Sequence, residues 1–272
     1  SQLLYSEKAE MDENGIPYYR ITGEVLPYEA LRKAAISGYT NVAQDSDGTV
    51  RRILVEQDYK GESRMMFSQV IYNRYCDEKK IEPETVKQDK TGRTLINYSG
   101  KPGDYEYISF VDVLDGKIDT RIFKDCIVLV GAYAAGMQDN FHVPNGHSRQ
   151  MFGVEIHANI LQAFMQGRFS VNGNPYIAGL LAGLFCARIQ FLFRKMKIAG
   201  ATILLAASAF AGLAVCTVLN NNGITVSILY VPLMLIVSYI YCLVFRYLAA
   251  KLKQRKVLNA FKKYVAPQVV EE

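Results

Sequence analysis

The stretch "YIAGLLAGLFCARIQFLF", Tyr176–Phe193, is one of three long apolar runs in the second half of the chain. The other two are Ile198–Leu219 and Ile224–Leu248. Each run is about as long as a helix that crosses the ~30 Å of hydrocarbon in a bilayer. Three consecutive runs of this length would require an unusually large core in a soluble protein. The sequence therefore predicts three transmembrane helices, over 176–193, 198–219 and 224–248.

Charge divides the chain into two unlike parts. Positions 1–155 carry 19 basic and 24 acidic residues, whereas positions 156–272 carry 12 basic and two acidic residues. The net charge of +5 averages these parts, so it gives no reason to expect binding to nucleic acid. The connector between the first two apolar runs is basic, and so is the tail after the third.

Short basic loops remain in the cytoplasm, which sets the expected orientation. We expect a multi-pass protein of the cell membrane, with the bilayer as a partner and the C-terminus in the cytoplasm. The predicted domains are an extracellular or periplasmic domain over 1–175, the membrane region over 176–248 and a cytoplasmic helical linker over 249–272. Because the chain opens "SQLLYSEKAE", without an apolar export signal, an upstream signal or anchor helix is also expected.

The front domain alternates between strand-like and helix-like segments, which predicts an α/β fold with a mixed sheet flanked by helices. Gly38 is placed to end the first helix, and Ile127–Val130 is expected to be a buried strand. The predicted helices are Pro27–Ile36, "SRMMFSQVIYNRYCDE" (63–78) and "GVEIHANILQAFMQGRF" (153–169). The predicted strands include "DGTVRRILV" (47–55), "TLINYS" (94–99), "YISF" (107–110) and "CIVLV" (126–130).

Several separated motifs of the front domain occur in a recognisable order: "DSDGTVRRILV", "LINYSG", "VLVGAYAAGMQDNFHVPNG" and "MFGVEIHANILQAFMQGRF". Together with the three apolar runs that follow, they resemble the second class of CHASE domains, the cyclase/histidine-kinase-associated sensory extracellular domains. The resemblance covers most of residues 20–170. It implies a sensor of an unknown extracellular ligand.

The tail "FKKYVAPQVV", Phe261–Val270, resembles the segment that leads into a class III nucleotide cyclase domain. The combined resemblance implies a bacterial membrane-bound adenylate cyclase that acts as a homodimer. Its catalytic domain, with Mg or Mn, would then follow Glu272. Because no acidic residue lies between Ile156 and Val270, the metal-binding carboxylates of such a domain are not in this stretch, which we expect to be non-catalytic and without a cofactor.

Two other outputs are compatible with the sequence. The same sensor could feed a histidine kinase, or the chain could be a non-enzymatic, membrane-anchored binding subunit. Cys76 and Cys126 both fall in the exported part, where either a disulfide or two free thiols is chemically allowed.

Polar residues cluster before and within the last predicted helix of the front domain. They are Asp139, His142, Glu155, His157 and Asn159. One interpretation is a ligand site, either a metal centre or a pH sensor, since imidazole titrates near neutrality. The other, which the spacing favours, is a structural one. In it, Asp139, Glu155, His157 and Asn159 hydrogen-bond the loop 138–151 onto the helix, without a metal.

The membrane runs contain candidates for signal transmission. Gly179 and Gly183 form a GxxxG pair, which suits close helix packing either within one subunit or between two. Arg188 is costly in hydrocarbon unless it reaches the headgroups or an interhelical partner. Pro232 is expected to bend the third helix near its outer end.

The basic linker after the third run permits two structures. A heptad starting at Val244 gives a seam that is apolar except for Lys251 and Gln254, which suits a short parallel coiled coil. A basic amphipathic helix lying on anionic lipid is the alternative. In either case Leu258, Phe261 and Tyr264 are the linker residues expected to transmit the signal.

Overall fold

The computed structural model describes residues 1–8, 10–11, 17–137 and 139–264. The chain divides into two compact units, Ser1–Asn172 and Gly173–Glu272. The first unit combines short strands with helices, and the second contains three long apolar helices. This confirms the predicted class, a mixed α/β region followed by helices that could span a membrane.

The first unit contains eleven strands and four α-helices among its described residues. The strands are β1 (Gln2–Tyr5), β2 (Glu10–Met11), β3 (Pro17–Tyr18), β4 (Ile21–Val25), β5 (Arg52–Leu54), β6 (Glu56–Tyr59), β7 (Glu62–Met65), β8 (Arg93–Ile96), β9 (Asn140–Phe141), β10 (Met151–Phe152) and β11 (Phe169–Asn172). The helices are α1 (Glu29–Ala34), α2 (Phe67–Lys79), α3 (Phe110–Leu114) and α4 (Gly153–Met165), and 3₁₀ turns occur at Thr120–Phe123 and Ala135–Met137.

Strand pairing in this unit is antiparallel within every ladder that the described residues form. β8 lies between β5 and β11, with Ile53 opposite Thr94 and Phe169 opposite Ile96. β1 pairs with β4, β6 with β7, and β9 with β10. Parallel pairing occurs only in isolated bridges, of which Thr49 with His142 is one. Among the described residues, both parallel and antiparallel pairing are therefore present, and the parallel pairing comes from these bridges.

The core of the first unit lies between α2, α4 and the β5–β8–β11 sheet. Val50, Ile53 and Val55, apolar members of the segment that contains β5, are buried. The predicted apolar face of α4 is also confirmed, because Ile156, Ile160, Leu161 and Phe164 are all buried. The ring of Tyr72 in α2 stacks on Phe164 at 5.2 Å between centroids, and this contact joins the two helices.

Some sequence-based expectations about this unit are wrong. No strand forms at Ile127–Val130, where Val130 is 72% exposed, and none forms at "YISF", whose last residue instead begins α3. An apolar run of this length is a strand only if neighbouring strands pair with it, and composition alone does not reveal them. α1 ends at Ala34, so Gly38 is not its stop. A Cβ at Gly38 would lie 2.7 Å from the Cα of Phe67, so this glycine permits close approach of α2.

The second unit begins with α5 (Pro175–Lys195), followed by α6 (Ile198–Asn221), a two-residue strand β12 (Ile224–Thr225) and α7 (Tyr230–Tyr264). Within the described part, the spans long and apolar enough to cross a membrane are Pro175–Phe193, Ile198–Asn221 and Tyr230–Asn259. The third helix thus begins at Tyr230 rather than at Ile224. A turn precedes it, in which Gly223 has φ +75° and the Asn220 side chain accepts a hydrogen bond from the Val226 amide at 3.2 Å.

Candidate functional site

The first turn of α4 carries a buried carboxylate that is fully engaged with backbone donors. Glu155 is 4% exposed. Its Oε1 accepts a hydrogen bond from the Gly103 amide at 2.8 Å, and its Oε2 accepts one from the Phe152 amide at 3.2 Å. An acidic side chain in the first turn also interacts favourably with the helix dipole. Glu155 therefore fastens the loop around Gly103 to the start of α4.

One turn further along α4, Asn159 is completely buried. Its Oδ1 accepts hydrogen bonds from the amides of Ser99 at 3.1 Å and Gly100 at 2.9 Å. Its Nδ2 donates to the Glu155 carbonyl at 3.0 Å and lies 3.5 Å from the Met151 sulfur. The Asn159 side chain thus provides an acceptor for two backbone amides, one in exposed Ser99 and one in partly buried Gly100.

His157 connects α4 to α2 and to the segment before it. Its Nδ1 lies 2.9 Å from the Ser68 hydroxyl, and its Nε2 lies 3.1 Å from the Thr40 carbonyl oxygen. The carbonyl can only accept, so Nε2 carries the proton and Nδ1 is the acceptor. Burial lowers the pKa of His157, although the Thr40 carbonyl and the charge of Asp139 act in the opposite direction. The imidazole is therefore neutral near neutral pH.

Asp139 lies beside the helix start, and His142 lies apart from this cluster. The Gly153 amide donates to the Asp139 carbonyl at 2.9 Å, and a Cβ at Gly153 would lie 2.6 Å from both carboxylate oxygens of Asp139. His142 is exposed, and its Nε2 lies 3.2 Å from Nε2 of Gln150. The structure thus brings Asp139, Glu155, His157 and Asn159 together at α4 without His142.

These hydrogen bonds join α4 to other parts of the first unit, as a structural role for the cluster would require. They differ from the predicted contacts in their targets, because most go to 99–103, Thr40 and Ser68 rather than to the loop 138–151. Across the described residues, no group of three or more His, Cys, Asp or Glu side chains is placed to hold a metal ion. Cys76 is buried and Cys126 exposed, and both are free thiols.

In the second unit, α7 packs against both α5 and α6. The ring of Tyr239 in α7 makes an edge contact with Phe193, at 5.6 Å between centroids, and its hydroxyl lies 2.7 Å from that of Thr202 in α6. Arg246 in α7 donates hydrogen bonds to the carbonyls of Phe193 and Met196, at the end of α5. The sequence-based candidates omit Arg246, although a basic residue near the end of the third apolar run is a detectable signal.

The glycines of α5 and α6 have different surroundings. A Cβ at Gly212 in α6 would lie 2.7 Å from a methyl of Val231 in α7, so this glycine contacts a neighbouring helix. Around Gly179 and Gly183, by contrast, no described atom lies within 4 Å of an added Cβ. Packing among the described helices therefore does not account for the GxxxG pair of α5.

Two further transmission candidates, Arg188 and Pro232, lie in α5 and α7. Arg188 lies on the exposed face of α5 and has no hydrogen-bond or ion-pair partner among the described residues. Pro232 lies in the first turn of α7, where a proline removes no helical hydrogen bond. There is therefore no physical reason to expect a bend of α7 at Pro232.

The linker continues α7 without a break as far as Tyr264, and Leu258 in it is half-exposed. The side chains of Phe261 and Tyr264 lie outside the described part of the chain, as does the segment 265–272. The coiled coil and the lipid-bound helix both stay predictions. The unbroken helix is the arrangement that a coiled coil needs.

A cavity of about 1140 Å³ in the first unit was not predicted from sequence. Parts of β1, β4, β6 and β8 line it, together with residues 39–44. These residues are dispersed along the chain and belong to no motif, so no local signal identifies them. The cavity is large enough for a small-molecule ligand.

A comparison with protein families finds one match, to the CHASE2 domain, over residues 6–189. The matched region includes the α4 cluster, the cavity and most of α5. Neither a curated protein nor a solved structure matches the chain.

Proposed function

Because the chain belongs to the CHASE2 domain family, we propose that residues 1–272 are the sensor and transmembrane part of a membrane-bound class III adenylate cyclase. The coarser function, a membrane sensor, follows from the CHASE2 domain and the three candidate membrane helices. The observation that carries the finer proposal is the continuity of α7 from the membrane span to the basic linker. An unbroken helix transmits a change in the packing of the membrane helices to the domain that follows the linker.

The proposed topology has the sensor outside the cell and the linker inside. It is supported by the basic residues Lys195 and Lys197 between α5 and α6, and by those at the end of α7, which the positive-inside rule assigns to the cytoplasm. Protease added to intact cells is then expected to cleave the first unit and leave the linker uncut. Cleavage of the linker alone would contradict this orientation.

For transmission we propose a homodimer whose geometry changes when the sensor binds its ligand. The open surroundings of Gly179 and Gly183 are compatible with close approach of a second α5. The Arg246 contacts with the end of α5 join two of the membrane helices, so a displacement of α5 is passed to α7. α7 then moves the linker and the output domain.

The proposed output is the conversion of ATP to cyclic AMP. It is supported by the resemblance of Phe261–Val270 to the segment that enters class III cyclase domains. The metal, Mg or Mn, would be held by carboxylates of that domain. The first acidic residue after Glu155 is Glu271, so the part of the chain between them supplies none.

A cyclic-nucleotide assay on membranes that contain the full-length gene product tests the proposal. Membranes from cells without the gene are the blank, and a variant lacking residues 20–170 is the comparison. We expect cyclic AMP from the full-length protein and a changed rate from the deletion variant. Autophosphorylation on histidine without cyclic AMP would favour a kinase output. The absence of both activities would favour a non-enzymatic subunit.

A further inference from the structure

The cavity of about 1140 Å³ in the first unit has a mouth rich in basic residues. Lys60, Lys90 and Arg93 all line it. Neither Lys90 nor Arg93 forms an ion pair within the part of the chain that the structure describes. Arg93 acts electrostatically on the Asp89 carboxylate, which does not line the cavity. The three basic side chains thus contribute positive charge to the wall of the cavity.

The two acidic residues that line the cavity are already engaged. Oε1 of Glu56 accepts a hydrogen bond from the Ser63 hydroxyl, and Oδ1 of Asp58 accepts one from the Gly61 amide at 3.3 Å. Both partners lie in the β6–β7 hairpin itself. The basic residues that line the cavity therefore outnumber these two carboxylates.

Four tyrosines contribute aromatic surface to the wall of the cavity. Tyr5, Tyr19, Tyr39 and Tyr59 all line the cavity. The hydroxyl of Tyr39 donates to the Leu54 carbonyl, and that of Tyr5 is hydrogen-bonded to the Gln57 side chain, 2.8 Å from Nε2. Burial raises the pKa of Tyr5 and Tyr39, so these phenols are neutral at physiological pH. They contribute apolar surface and no negative charge.

We propose that this cavity is the ligand site of the sensor and binds a small organic anion, with its carboxylate or phosphate near Lys90 and Arg93 and its apolar or aromatic body against the tyrosines. This inference deepens the proposed sensor function and rests on it. Mostly apolar pockets with a few converging polar groups are the usual form of small-molecule sites.

A short path of contacts leads from the cavity to the α4 cluster. Tyr39 and Asn41 line the cavity, and Thr40 between them holds Nε2 of His157 through its carbonyl. Tyr39 also pairs with the start of α2, because its carbonyl accepts from the Phe67 amide at 2.8 Å. Occupation of the cavity thus acts on the segment that positions both α2 and α4.

Calorimetry of small-molecule binding to the full-length protein in nanodiscs tests the inference. This measurement does not depend on cyclase output. The probes are phenyl phosphate, benzoate, inorganic phosphate and phenethylamine. We expect the two aromatic anions to bind and phenethylamine not to bind. We also expect Lys90→Gln and Arg93→Gln each to weaken binding by about tenfold, which corresponds to the loss of one charge contact. Lys101→Gln, outside the cavity, is the matched control and should bind as the unsubstituted protein does.

The aromatic part of the site is tested with Tyr19→Ala against Tyr28→Ala, an exposed tyrosine that does not line the cavity. Only Tyr19→Ala should weaken the binding of phenyl phosphate. Failure of both aromatic anions to bind the unsubstituted protein overturns the inference. Inorganic phosphate binding as tightly as phenyl phosphate, or phenethylamine binding in place of the anions, overturns it too. Binding without cyclic AMP would contradict the proposed output and leave the site in place.

Discussion

The Nδ1 atom of His157 lies 2.9 Å from the hydroxyl of Ser68, and this buried contact joins α4 to α2. Both residues are buried, His157 with 6% and Ser68 with none of its surface exposed. A buried polar pair that satisfies its own hydrogen bonds specifies how two helices fit together. The same imidazole contacts the carbonyl of Thr40, which lies between two residues of the cavity wall, so it links that segment to α4.

Stability should fall with acidification because of His157. Its pKa is lower in the folded chain than in the unfolded one, where it is about 6.5. Below that value the unfolded state takes up a proton that the folded state does not, so stability is lost as the pH falls from the unfolded pKa towards the folded pKa. We expect the calorimetric melting temperature to fall between pH 7.5 and 5.5, and less steeply in His157→Gln. His142→Gln, at an exposed histidine, should keep the full slope. Equal slopes in both variants would contradict the assignment.

Asn159→Ala should strongly destabilise the first unit. The change removes the acceptor for the Ser99 and Gly100 amides and leaves two backbone donors without their partner. A buried unsatisfied donor costs about 1–3 kcal/mol, so we expect a loss of roughly 3 kcal/mol. Denaturant unfolding followed by circular dichroism measures it. Asn73→Ala on α2, whose side chain makes one weak contact with the Met65 sulfur, is the control and should cost far less.

Gly153→Ala should destabilise the start of α4 by a steric effect. The new methyl would lie 2.6 Å from both Asp139 carboxylate oxygens, so the carboxylate has to move. We expect a cost of about 1–3 kcal/mol. Combining the change with Asp139→Ala should recover part of it, because the obstructing oxygens are gone. Gly136→Ala, where no described atom lies within 4 Å of the added Cβ, should be close to neutral. A double variant no more stable than Gly153→Ala would contradict the mechanism.

The periodicity and length of apolar segments correctly predicted those features of the fold that depend on a single helix or strand. The buried face of α4 and the three membrane helices follow from the spacing or length of apolar residues. Ile127–Val130 has the composition of a buried strand, but burial depends on which strands lie beside it. The start of the third helix was misplaced because hydropathy continues through Ile224 and Val226, whereas Gly223 and the Asn220 side chain form a turn there.

The candidate site was predicted as a set of residues but not as a set of contacts. Asp139, Glu155, His157 and Asn159 are close in sequence, and the helix places them together. Their partners Gly103, Ser99 and Thr40 are distant in the chain, and only the folded structure relates them. The cavity was missed for the same reason, since its wall is assembled from segments between Tyr5 and Arg93.

Glycines of the membrane unit should respond unequally to substitution. Gly212→Ala brings a methyl to 2.7 Å from Val231, so it should lower the resistance of the unit to unfolding by detergent. Gly183→Ala meets nothing within 4 Å in the described part of the subunit and should leave that resistance unchanged. If α5 contacts a second copy, Gly183→Ile should lower the yield of chemically cross-linked dimer in membranes, and Gly212→Ala should not. Unchanged cross-linking in Gly183→Ile would contradict a dimer contact at this face.

Arg246→Met should weaken the contact between α7 and α5, whereas Arg188→Met should not. The Arg246 guanidinium donates to the carbonyls of Phe193 and Met196, which lack helical partners because α5 ends there. Removing these bonds should cost about 1–2 kcal/mol in a membrane protein, measured as earlier unfolding in a detergent titration. Arg188 has the same charge in the same unit but no partner among the described side chains, so it controls for the loss of a cation. Arg246→Lys should retain part of the stability, because an ammonium still donates to one carbonyl.

Since the contact joins two membrane helices, the basal output of the proposed cyclase should change in Arg246→Met and not in Arg188→Met. Equal effects of the two methionine variants would mean that the positive charge, rather than the hydrogen bonds to the end of α5, is what the membrane unit requires.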